Sequence, residues 1–336
     1  MAEEIDGVRP TMADVARIAG VSPALVSIVM RGVPGASDET RHRVKAIADR
    51  IGYVPDRRAQ KLRQTQSRLL GVTFDLQQPF HGDLVEHVYT AAERHGYDVM
   101  LSAVAPTRDE ESAVQALVRE RCDVALLLGS GLGTRELTEI DARIPVVALL
   151  RSSGVDAIGS VRGDDVAGIG TAVDHLVQLG HRRIAHIDGA AAPGAEDRRQ
   201  GFLAAIRRHG LDEHARVVAG GMTETEGAEG MRQLLASGEV PTAVVAFNDN
   251  SATGVLDHLL RRGIDVPGDI SVVGYDDSRL SRIAHIQLTS ISHDVAAVAD
   301  AAVDSGLARL AGEQAEDVVL APTLVRRRTT AVPRER

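Results

Sequence analysis

Apolar residues recur at helical spacing over the first fifty positions, whereas beyond about residue 69 they gather in short runs separated by amphipathic stretches. Thr11 to Ala19 reads as a short helix, capped by Thr11 with Asp14 three residues on, and with Val15, Ile18 and Ala19 on one face. Gly20-Val21 breaks it. A second helix restarts with Ser22 as N-cap and Pro23 at the first helical position, placing Leu25, Val26 and Val29 inward. A third begins after Ser37, spaces Val44, Ile47, Ala48 and Ile51 along one face, and meets Gly52 where a C-terminal cap belongs. The pattern predicts three short helices sharing one apolar side.

From Leu69 onward the pattern predicts strands at Leu69 to Phe74, Asp98 to Ser102, Val124 to Leu128, Val146 to Leu150, Arg183 to Ile187, Val217 to Ala219, Ala243 to Phe247 and Ile270 to Tyr275. Helical stretches alternate with them: Gly82 to His95, Glu110 to Glu120, Gly168 to Leu179, Arg198 to His209, Gly227 to Ala236 and Ser251 to Arg262. Alternating β and α over some 265 residues predicts parallel sheets covered on both faces, in two lobes. The polar, Arg-rich stretch Asp56 to Gln66 between the two patterns has too few apolar positions to bury itself, and is expected to order only against a partner.

Composition narrows this picture. A chain of 336 residues, 44% hydrophobic, suits two or three packed domains. No apolar run is long enough for a membrane span and the N-terminus starts acidic, so a cytoplasmic protein without membrane association is expected. The single cysteine, Cys122, allows no intrachain disulfide and no thiolate-rich metal site. The net charge of −9 is uneven: residues 1–68 hold twelve Lys and Arg against eight Asp and Glu, and the remainder 26 against 39. Any polyanion-binding surface therefore lies at the N-terminus.

The segment Thr11-Met-Ala-Asp-Val-Ala-Arg-Ile-Ala-Gly-Val-Ser22, followed by Pro-Ala-Leu-Val-Ser-Ile-Val-Met-Arg31-Gly32, resembles the helix-turn-helix of the LacI/GalR family of bacterial transcription regulators. The likeness continues through Ser37-Asp-Glu-Thr-Arg41, Ile51-Gly-Tyr-Val-Pro-Asp56, Ala59-Gln-Lys-Leu62, Ile270-Ser-Val-Val-Gly-Tyr-Asp-Asp277 and Leu288-Thr-Ser-Ile291. It implies an all-α helix-turn-helix headpiece (8–54), a hinge helix and linker (55–68), and an α/β core of two doubly wound, periplasmic-binding-protein-like lobes (69–331). One lobe comprises about 69–162 and 292–319, the other about 163–289 and 320–331.

Such a headpiece lays its second helix in the major groove. The DNA-facing residues expected are Thr11, Arg17, Ser22, Pro23, Ala24, Ser27, Ile28, Arg31 and Tyr53, with Arg57, Arg58, Ala59 and Leu62 in the hinge; Arg41 and Arg43 are further candidates for phosphate contact. Leu62 matches the residue that the family wedges into the minor groove, although it also suits a linker leucine docked on the core. The chain departs from the family at the reading positions: Ile28 stands where an arginine is common and Arg31 where an asparagine is. Isoleucine makes only apolar contact, for example with a thymine methyl, so the family's usual operator does not carry over.

Ligands in open parallel sheets sit beyond the carboxyl ends of strands. That rule selects Phe80, Asn248, Asp249 and Asp276. Arg198, in an Arg-x-x-Gly pattern before Phe202, matches the family's effector-binding arginine, and Asp164 and Asp165 lie at the lobe crossover. Asp276 also suits a turn or cap, Arg198 a surface ion pair, and Phe80 the core. Carboxylates, amides and an arginine suit a hydroxyl-rich effector, with a sugar the first candidate, although the chain has no Trp to stack on a sugar ring.

The resemblance implies a repressor whose grip on a roughly palindromic operator, as a homodimer, is controlled by a small molecule acting either as inducer or as corepressor. No cofactor or metal and no catalysis are expected. The rivals are a cytoplasmic small-molecule-binding protein and a nucleotide-dependent enzyme. The enzyme reading is disfavoured because the spacing of Gly129-Ser-Gly131-Leu-Gly133 lacks the third glycine of G-x-G-x-x-G, no acidic residue ends a second strand about 20 residues on, and no zinc motif, nucleophile elbow or P-loop occurs.

Overall fold

The computed structural model describes residues 10–30, 32–53 and 66–334. The chain divides into two compact units, Met1–Ser67 and Arg68–Arg336.

In the first unit, helices α1 (Met12–Ala19), α2 (Pro23–Met30) and α3 (Asp38–Ile51) enclose a small core of Val15, Ala16, Ala19, Val26, Val29, Val44 and Ala48. Local chemistry sets most of the boundaries. Thr11 and Asp14 form a reciprocal capping box, and Gly20 ends α1 at φ 66°. Ser22 Oγ accepts from Leu25 N at 3.2 Å to start α2. Ser37 caps α3, which Gly52 ends at φ 69°. Ile18, Leu25, Ile47 and Ile51, expected inside, are half-buried, the last two packed against this core.

The second unit contains two six-stranded sheets. The first holds β1 (Leu69–Asp75), β2 (Asp98–Val104), β3 (Val124–Leu128), β4 (Val146–Leu149), β5 (Gly159–Gly163) and β11 (Asp317–Leu320), in the order β11-β5-β4-β3-β1-β2. The second holds β6 (Ile184–Ile187), β7 (Arg216–Val218), β8 (Ala243–Ala246), β9 (Ser271–Asp276), β10 (Thr289–Ser292) and β12 (Thr323–Val325), in the order β12-β10-β9-β8-β6-β7. Every neighbouring pair is parallel except β10 with β12. Helices α4 (Pro79–Arg94), α5 (Glu110–Arg119), α6 (Thr134–Asp141) and α11 (Val295–Leu310) belong to the first lobe. Helices α7 (Asp165–Gln178), α8 (Ala195–Arg208), α9 (Glu224–Ala236) and α10 (Asp249–Arg261) belong to the second. Both β3 and β8 are buried along their whole length, as strands covered on two faces must be.

In each lobe the first strand lies between the second and third, which makes a topological switch point at its carboxyl end. The chain crosses between lobes after Gly163, after Ser292 and after Leu320, one residue or so later than the motif boundaries suggest. The periodicity reading omitted β5, β10, β11, β12, α6 and α11. Among the strands, β5 and β10 are mostly small and polar residues and β11 and β12 are brief, so none shows the unbroken apolar run that marks β3 or β8, and α11 is so rich in alanine that its apolar face hardly stands out.

Candidate functional site

In the headpiece the axes of α1 and α2 turn by 106° about the left-handed Gly20, within the range of DNA-binding helix pairs. Ser22, Pro23 and Ala24 stand exposed at the start of α2, and Ser27 and Ile28 are half-buried farther along it. Part of Ile28 serves the fold, since a Cβ on Gly35 would meet its Cγ2 at 3.4 Å. Thr11 is exposed, with its hydroxyl engaged by Asp14, and Arg17 is an exposed cation 3.6 Å from the Asp14 carboxylate. Arg41 donates to the Val33 carbonyl at 2.9 Å and so ties α3 to the loop after α2, an internal task that the sequence did not suggest. Tyr53 is half-buried against the headpiece core. Arg31, Arg57, Arg58, Ala59 and Leu62 lie outside the described residues.

The second unit has a cavity of about 70 Å³ between its lobes, lined by Asp75, Gln78, Phe80, His81, Gly129 and Leu150 from the first, and Pro193, Arg198, Met222, Phe247, Asn248 and Asp276 from the second. Asp75 ends β1, Gly129 follows β3, Leu150 follows β4, Phe247 follows β8 and Asp276 ends β9. The cavity therefore occupies the switch points of both sheets.

Arg198 lies at its centre. It projects from the first turn of α8, 8% exposed, and its Nη1 donates to the Phe247 carbonyl at 2.6 Å. Asp165 Oδ1 is 3.3 Å from its Nε, and Asp276 Oδ1 is 3.6 Å from its Nη2. The guanidinium also lies 3.7 Å from the centre of the Tyr275 ring and 4.5 Å from that of Phe247, so two ring faces and two carboxylates share one cation. The Tyr275 hydroxyl donates to Asp165 at 2.6 Å. Burial drives the Asp276 carboxyl well above the usual range despite the opposing pull of Arg198, and drives the Tyr275 hydroxyl up as well.

One neutral histidine lies in the wall and a second stands behind it. His81 Nδ1 accepts from Asp75 N at 3.0 Å, which leaves its Nε2 as a donor, and burial lowers its pKa to about 4. His293, at the second lobe crossing, lies tilted against the Phe80 and Tyr275 rings and is likewise lowered to about 4 by burial. Gln78 Nε2 is buried with no protein acceptor.

Four expected effector residues line this cavity: Phe80, Arg198, Asn248 and Asp276. Asp165 reaches it only through Arg198. Two expectations need correction. Asp164 caps α7, accepting from Ala167 N at 2.9 Å, because the chain turns there from β5 into a helix whose first amides need an acceptor. Asp249 is buried behind the cavity wall, bonded to Ser278 and Ser290, since the first turn of α10 points it back toward β9 and β10. The sequence reading did not name Asp75, Gln78, His81 or Phe247, although the rule about strand ends would have found Asp75 and Phe247.

Residues 11–56 match the bacterial regulatory proteins of the lacI family, and residues 173–330 match a periplasmic binding protein-like domain. The HTH-type transcriptional regulator GalR of Escherichia coli (strain K12) is 32% identical over 331 residues, covering 96% of each chain. A LacI transcriptional regulator from a Rhodococcus species, known as a crystal structure, is 65% identical with a TM-score of 0.78, covering 79% of this chain and 98% of that one. The Lac repressor dimer bound to operator and the anti-inducer ONPF is 30% identical with a TM-score of 0.84, covering 96% of this chain and all of that one.

Proposed function

Because this chain belongs to the lacI family of bacterial regulatory proteins, we propose that it is a homodimeric cytoplasmic repressor whose hold on a roughly palindromic operator is set by a small hydroxyl-rich effector bound between its lobes. Residues 8–54 form the DNA-binding headpiece, 55–68 the hinge and 69–331 the sensor. The exposed start of α2, Ser22 to Ala24 with Ser27, Ile28 and Arg31 beyond, meets base edges. Thr11, Arg17, Tyr53, Arg57, Arg58 and Ala59 contact the backbone, and Leu62 enters the minor groove. No catalytic role is assigned to any residue.

The observation that carries the sensor reading is the buried Arg198 cluster at the shared switch point. Asp75 and Asp165 already outnumber the one arginine, so the site favours a neutral or cationic ligand over a phosphorylated or carboxylate one. Gln78 Nε2 and His81 Nε2 supply donors, Asp276 an acceptor, and Phe80 and Phe247 apolar faces, a set suited to a sugar. At about 70 Å³ the cavity is far below the roughly 300 Å³ of common ligand pockets, so the lobes must part for entry.

Two measurements test this: a gel shift of the purified protein on the DNA upstream of its own gene, and thermal unfolding against a panel of neutral sugars, amino sugars and sugar phosphates. Binding of that DNA, weakened or strengthened by a neutral or amino sugar that also raises Tm, is the expected result. A shift produced only by the phosphates would refute the effector assignment, and failure to prefer any duplex would refute the operator assignment.

A further inference from the structure

Among the described residues, three residues of the second lobe, Asn248, Asn250 and Arg279, make polar contacts with the first lobe beside the cavity. Asn248 Nδ2 donates to Gln78 Oε1 at 3.2 Å, and Asn250 Nδ2 donates to the Gln77 carbonyl at 2.9 Å. Arg279 grips Asp83 twice, its backbone N 3.0 Å from Oδ2 and its Nε 3.0 Å from Oδ1. Gly82 leaves the room for this grip, since a Cβ there would come within 2.5 Å of Arg279 Nη2.

All three donors are neighbours of one buried group. Asp249, 1% exposed, stands between Asn248 and Asn250 at the start of α10. Its Oδ2 accepts from both the backbone N and the Oγ of Ser278, at 2.7 and 2.9 Å, and Ser278 is the residue before Arg279. Its Oδ1 accepts from Ser290 Oγ at 2.6 Å and lies so close to Gly274 that a Cβ there would meet it at 2.3 Å. A carboxylate taken out of water at such cost, and touching no part of the cavity, calls for a role in holding its neighbours.

We propose that Asp249 is a positioning residue that holds the three interlobe contacts in register: through the chain it sets Asn248 and Asn250, and through Ser278 it aims Arg279 at Asp83. This is independent of the identity of the effector, because it concerns the spacing of the lobes and not what lies between them.

Spin labels on exposed helix positions of the two lobes, Glu111→Cys and Arg207→Cys in a Cys122→Ala background, report that spacing in the full chain by pulsed electron resonance, with labelled subunits diluted so that only pairs within a subunit are read. Arg279→Ala and Asp83→Ala should each shift the main distance to longer values, and the pair together no further than either alone. Asp249→Ala should give the same shift, and in that background the Asp83 and Arg279 changes should add nothing. Asp249→Asn, whose carbonyl can keep Ser278 while its amide donates to Ser290, should restore the original distance. A merely structural role would lower Tm and leave the distance alone. An unmoved distance in Asp249→Ala, or Asp83 and Arg279 effects that persist there, would overturn the proposal. If Asp249→Ala does not fold, Ser278→Ala decides: a smaller shift in the same direction supports the proposal and none overturns it.

Discussion

Arg198 and Asp276 face each other across 3.6 Å at the floor of the cleft, with side chains only 9% and 14% exposed, and Asp165 holds the other edge of the same guanidinium. Removing the shared cation strips the buried Asp165 and Asp276 of their common partner. Arg198→Leu is therefore expected to cost about 3 kcal/mol and lower Tm by roughly 5–10 °C. Arg198→Lys should recover little of this, since an ammonium cannot lie flat between the Tyr275 and Phe247 rings. Thermal unfolding of both variants measures the effect.

Stability should fall as pH drops from 6.5 toward 4. His81, His186 and His293 are each lowered to about 4 by burial, so over that window they take up protons in the unfolded chain and not in the folded one. Each then costs roughly 1 kcal/mol per pH unit. Asp249 and Asp276 act in the opposite sense: burial raises the first to about 7 and the second well above the usual carboxyl range, so both favour the folded form as pH falls from 7 toward 4. His175, His181 and His258 are lowered by burial as well, so six histidines outweigh two carboxyls, and Tm should be lower at pH 5 than at pH 7.5. His186→Phe, at a site where the imidazole already stacks on Phe202, should flatten the slope; an unchanged slope would remove His186 from the account.

Helices α9 and α10 touch through glycine. A Cβ on Gly254 would lie 1.8 Å from the Glu224 carbonyl oxygen, and one on Gly227 would lie 2.1 Å from that of Ser251. Both obstacles are backbone, which no rotamer change can move. Gly254→Ala should cost about 1–3 kcal/mol and loosen the α10 start that carries Asn248. Denaturation midpoints should show the loss, and amide exchange should show faster opening of α10.

At the DNA surface, replacing Ile28 by arginine should add a guanine preference at one position in each half-site. A bidentate contact to guanine is worth about 1–3 kcal/mol, or roughly tenfold or more in affinity for the matching base. Selection from a random duplex pool with the native and Ile28→Arg proteins would reveal it. Identical consensus sequences would mean that position 28 does not face a base.

The fold was legible wherever a residue's chemistry acts locally. Thr11 with Asp14, Gly20, Ser22, Ser37 and Gly52 mark their helix ends in sequence and do the same in space. Buried runs such as Val124 to Leu128 declare central strands. The site was legible only as far as it depends on strand ends and one motif, which is enough for Arg198, Asn248 and Asp276. Gln78 and His81 become cavity residues because α4 enters from the first lobe at that angle, which no local pattern encodes. Asp249 misled for the complementary reason: it sits one residue from Asn248, and in the first turn of a helix one residue is about 100° of rotation, the difference between facing the cleft and facing the sheet.

The pairing of β11 with β5 and of β12 with β10 has a kinetic consequence. Each sheet receives its last strand from residues 317–325, and neither lobe is one continuous segment. During synthesis both lobes must wait, each with a raw strand edge, until Asp317 to Val325 has left the ribosome. A truncation just before residue 317 should thus yield two unfinished, aggregation-prone sheets instead of one whole lobe and one damaged one.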